Sequence, residues 1–134
     1  MIYLICAVLL TGLFLGCNNQ SSKESTKTKE KVSYNYITSI EAQERLKSEK
    51  GIIVLDVRTK EEYETGHING AILIDVNNLQ EEAESILTNK ESSIFVYCRS
   101  GNRSITAAKI LVKLGYKSVY DLGRLNDWPY EIVR

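Results

Sequence analysis

The chain has 134 residues, and its 17 lysines and arginines are matched by 17 aspartates and glutamates. That neutral balance gives no electrostatic footprint for nucleic acid, so no nucleic-acid partner is expected. With one histidine and three cysteines the chain is too poor in soft ligands for a metal centre, and no metal or cofactor is implied.

In chain order, residues 1–16 carry no charged side chain and are mostly apolar. The run falls short of the about 20 residues of a membrane span and reads as a signal-peptide core. Leu15-Gly16-Cys17 resembles the end of a bacterial lipobox, which implies cleavage before Cys17 and its lipidation. An uncleaved signal anchor is the alternative. The following residues are rich in Ser, Thr, Lys and Glu and cannot bury a core. Residues 17–35 therefore read as a lipidated cysteine and a flexible tether. It would hold the domain about 20–25 Å from the membrane, on the extracytoplasmic face. Fatty-acid labelling that disappears in Cys17→Ala is the expected outcome, whereas an unlabelled wild type still starting at Met1 would favour the anchor.

Residues 36–134 are enough for one compact domain. The patterning predicts a strand at 36–37, a helix over 40–48 opened by a Thr38/Glu41 capping box, and a strand over 52–56. A short helix over 60–64, a strand over 71–74 and a helix over 79–87 follow. The strand 94–97, a helix over 104–114, a strand over 118–121 and a turn near Trp128 complete the chain. Strands alternating with helices predict an α/β fold with a mostly parallel sheet covered on both faces. Its site would lie at the carboxyl edge of the strands.

Cys98-Arg99-Ser100-Gly101-Asn102-Arg103-Ser104 begins at a strand tip and runs into a helix N-terminus. Unpaired amides and the positive end of the helix dipole make such a turn an anion cradle. Arg99 and Arg103 add positive charge. The setting favours a thiolate and predicts a nucleophile rather than an inert buried cysteine. Cys6 would leave with the signal and Cys17 would be lipidated, so Cys98 would have no resolving partner. That excludes a dithiol oxidoreductase of the C-x-x-C kind. Cysteine phosphatases place one more residue between cysteine and arginine, to wrap a phosphate. The shorter loop here suits a single extra sulfur.

The stretch from Asp56-Val57-Arg58 through Gly66-His67-Ile68-Asn69-Gly70-Ala71, taken with Tyr97-Cys98-Arg99 to Arg103-Ser104, resembles the rhodanese family of sulfurtransferases. The resemblance spans residues 36–134 and implies five parallel strands flanked by helices. It implies a Cys98 persulfide charged by a small anionic donor such as thiosulfate and discharged to a thiol, a protein cysteine or cyanide. The loop amides from Arg99 to Arg103 would stabilise it, Arg99 and Arg103 would guide the donor in, and Asp56 and Arg58 would buttress the loop. A non-catalytic persulfide relay for a membrane partner is the second reading, and a phosphatase or arsenate reductase the third. Glu61 and Glu62 read as a solvated helix face. His67 reads as structural, Ser104 as a helix cap or a hydrogen bond to the sulfur, and Trp128 as packing. Where the family carries Gly-Gly near its C-terminus this chain has Gly123-Arg124, and Arg124 reads as solvated, with a place on the pocket rim as the alternative.

Overall fold

The computed structural model describes residues 33–134, and the expected signal sequence, Cys17 and most of the tether lie outside the described residues. The fold is organised by one strand, β5 (Ser93–Cys98). Ile94, Phe95, Val96, Tyr97 and Cys98 are all fully buried, as a strand with elements packed on both faces requires. Side chains alternate along a strand, and the core divides accordingly. Ile94, Val96 and Cys98 join one cluster with Leu79, Ala83, Ala107, Ala108 and Leu111. Phe95 and Tyr97 join a second with Ala42, Val54, Ile68 and Trp128.

Around β5 the sheet runs β1 (Asn35–Tyr36), β6 (Ser118–Arg124), β5, β2 (Ile53–Asp56) and β4 (Ile72–Leu73), and every pairing is parallel. The helices α1 (Ser39–Ser48), α2 (Lys60–Thr65), α3 (Leu79–Ile86) and α4 (Asn102–Lys113) supply the crossovers. The Thr38/Glu41 capping box is present: the Thr38 hydroxyl accepts from the Glu41 amide at 3.2 Å and the Glu41 carboxylate accepts from the Thr38 amide at 3.1 Å. An equivalent box, Thr59 with Glu62, opens α2.

Three features depart from the sequence expectations. A two-stranded antiparallel ribbon forms between β3 (His67–Ile68) and β7 (Ile132–Val133). Two-residue strands carry no usable periodicity, so neither was foreseen. Strand β6 runs on to Arg124 through a bulge: Val96 faces Asp121, but Tyr97 faces Gly123 and Cys98 faces Arg124. Gly123 takes φ +83°, and its amide bonds the Asp121 carboxylate at 3.0 Å. Helix α4 begins at Asn102, two residues before the expected start, because Gly101 serves as its N-cap at φ +93°.

Candidate active site

Strand β5 delivers Cys98 to the carboxyl edge of the sheet, and the chain turns at once into α4. The left-handed φ of Gly101 makes the turn tight, a conformation that side-chain-bearing residues avoid. The Gly101 amide is thereby aimed back at the cysteine and donates to its Sγ at 3.0 Å. No side chain caps the start of α4. The first-turn amides and the dipole therefore remain available to an anion above the loop. Cys98 itself is fully buried, while the next two residues, Arg99 and Ser100, are exposed. Ser104 is buried in the first helical turn, where its hydroxyl donates to the Gly101 carbonyl at 2.9 Å. It holds the turn, neither capping an amide nor reaching the sulfur as expected.

The arginines around this loop are not equivalent. Arg58 lies almost wholly buried: its Nε and Nη2 donate to the Asp56 carboxylate at 3.0 and 2.7 Å, and Nη2 also donates to the Gly66 carbonyl at 2.7 Å. Burial opposes the charge on Arg58, but hydrogen bonds and charge from Asp56 outweigh it and raise its pKa. The pair lies at the tip of β2 and ties that tip to the end of α2 at Gly66.

Arg103 is occupied as well. Its Nη1 and Nη2 donate to the two Glu62 oxygens at 2.7 and 2.8 Å, a bidentate clasp across 41 positions of sequence. Glu62 is thus no solvated helix residue. The same carboxylate accepts from the Thr59 amide at 3.0 Å and so ties the start of α2 to the start of α4. The Arg103 hydrogen bonds, aided by the Thr59 amide against a burial cost, hold the Glu62 carboxyl at about 2. The clasp is therefore fully ionised at neutral pH.

Arg99 has neither ion pair nor side-chain hydrogen bond among the described residues. It lines a cleft of about 450 Å³ together with Arg58, Glu61, Glu62, Thr65 and Gly66 from the α2 side. Leu125, Asn126 and Ile132 close the cleft from the C-terminal side. The last three were not read as site residues, because only the bulge of β6 and the ribbon of β7 bring the C-terminus there. Arg124 is more than half exposed, and its Nε lies 3.7 Å from the Asp127 carboxylate. Its stem nevertheless flanks the loop: a Cβ at Gly101 would sit 3.4 Å from its Cγ. His67 stacks on Tyr63 with ring centroids 3.6 Å apart, a structural role. Trp128 is buried and packs edge-on against Tyr130 at 5.0 Å.

The parallel sheet flanked by helices, with Cys98 at a strand tip where a short loop enters α4, defines an α/β domain whose candidate site is a cysteine loop. Residues 38–128 match the Rhodanese-like domain family, and the chain is a member of that family. It is similar to the thiosulfate sulfurtransferase GlpE of Coxiella burnetii, with 38% identity covering 71% of this chain and 87% of that protein. The thiosulfate sulfurtransferase PspE of Escherichia coli shares 36% identity over 54% of this chain and 70% of its own length. Among solved structures, a rhodanese with anions from E. coli superposes with TM-score 0.59 at 32% identity, covering 62% of this chain and 98% of that one. A rhodanese-related protein from Thermoplasma volcanium gives TM-score 0.65 at 30% identity, covering 75% and 98%.

Proposed function

We propose that the domain is a sulfurtransferase working through a persulfide on Cys98. The Cys98 thiolate attacks the outer, sulfane sulfur of thiosulfate. A new S–S bond forms to Cys98, the old S–S bond breaks, and sulfite leaves with the electron pair. The persulfide lies where the Gly101 amide and the start of α4 stabilise negative charge. Arg99 recognises the anionic donor, since Arg58 and Arg103 already hold carboxylates. The amide donated to Sγ at the strand tip carries this reading, and the activity named for GlpE and PspE supports it.

Thiosulfate treatment is expected to add one sulfur, about 32 Da, to the intact protein, and cyanide is expected to remove it as thiocyanate. An adduct that forms but resists every acceptor would establish a persulfide relay instead. No adduct, with Cys98-dependent hydrolysis of an aryl phosphate, would overturn the assignment.

A further inference from the structure

The cleft beside the loop holds, besides the Arg99 that meets the donor, a second free charge that donor chemistry does not use. Four of its lining residues are charged: Arg58, Glu61, Glu62 and Arg99. Arg58 is neutralised by Asp56 and Glu62 by Arg103. Two charges remain, both exposed and of opposite sign. Arg99 projects from the residue after the cysteine, and Glu61 stands on the first turn of α2. Glu61 has no cationic partner within ion-pair distance among the described residues. Its pKa is lowered, first by its own backbone amide and then by the Thr59 hydroxyl, so it is a carboxylate at neutral pH. Leu125 and Ile132 give the same cleft an apolar wall. The cleft thus offers one unpaired charge of each sign, and its volume falls within the range of small-molecule sites.

Resting on the sulfurtransferase reading, we propose that this cleft receives the sulfur acceptor, and that the acceptor is a zwitterionic thiol of the amino-acid type. Its carboxylate meets Arg99, its ammonium meets Glu61, and its methylene carbons lie against Leu125 and Ile132. The acceptor thiol loses its proton to solvent, and its thiolate attacks the outer sulfur of the Cys98 persulfide. One S–S bond forms as the bond to Cys98 breaks. Cys98 leaves as a thiolate and the acceptor departs as a persulfide. Sulfur is neither gained nor lost, and no external oxidant or reductant enters.

Discharge of the thiosulfate-loaded full chain to four acceptors tests the proposal, with the thiols compared at equal thiolate concentration. Cysteine carries both charges, cysteamine lacks the carboxylate, 3-mercaptopropionate lacks the ammonium, and cyanide has neither group. Cysteine is expected to exceed each single-charge thiol in kcat/KM by about three- to fivefold, as exposed ion pairs allow. In Glu61→Gln the advantage of cysteine over 3-mercaptopropionate is expected to disappear, while its advantage over cysteamine remains. In Arg99→Gln the reverse is expected, each ratio being internal to one variant. If cyanide discharges the loaded protein but cysteine shows no preference, or Glu61→Gln leaves both ratios unchanged, the acceptor assignment fails and the sulfurtransferase reading stands. If thiosulfate loads no sulfur onto the chain at all, both fail together.

Discussion

Cys98→Ser is expected to lower thiosulfate-dependent thiocyanate formation by about a thousandfold or more, and to abolish the sulfur adduct. The size follows from chemistry that has no substitute. A serine hydroxyl is far less nucleophilic than a thiolate, and no other cysteine lies among the described residues. The fold is expected to survive, because serine is smaller than cysteine and its oxygen can still accept from the Gly101 amide. Circular dichroism and melting of the variant check that the loss is chemical. A variant within tenfold of wild-type turnover would remove Cys98 from the reaction.

Strand β5 and helix α4 were legible in the sequence because each states its period plainly. The former is a continuous apolar run and the latter repeats at helical spacing up to Gly115. The junction between them alone places Cys98 beneath a helix N-terminus. Asp56 and Arg58 were legible near the loop through the family resemblance, and their mutual hydrogen bonds come from the structure. What escaped was contact between segments distant in sequence. Glu62 and Arg103 meet because β2 and β5 lie side by side, delivering α2 and the loop to one edge. A partial signal existed: Thr59 and Glu62 have capping-box spacing, which turns the glutamate back toward the strand tip. The C-terminal wall of the cleft left no such trace. It depends on a one-residue bulge and on a ribbon two residues long, which no local pattern announces.

The largest stability effect is expected at Asp56 and Arg58, which separates a structural role for the pair from a catalytic one. Asp56 is fully buried, and Arg58 supplies both its charge partner and three of its hydrogen bonds through the side chain. Arg58→Met removes the partner and leaves a carboxylate with nowhere to go. The amide of residue 58, which donates to Asp56 at 3.0 Å, is all that remains of that segment's support. Uncompensated buried charge of this kind costs about 3–5 kcal/mol. In a domain of this size that lowers the melting temperature by about 12 °C or more. The hydrogen bond from Arg58 to the Gly66 carbonyl is lost too, which frees the entrance to β3. Asp56→Asn/Arg58→Met is expected to recover part of the loss, because no ion is then stranded. A catalytic role predicts the opposite order: the double variant would be as inactive as the worse single variant at any temperature. A structural role predicts that turnover of each variant, measured well below its own melting point, returns to within about tenfold of wild type. Arg58→Met melting within a few degrees of wild type would show that the pair bears little of the load at the tip of β2.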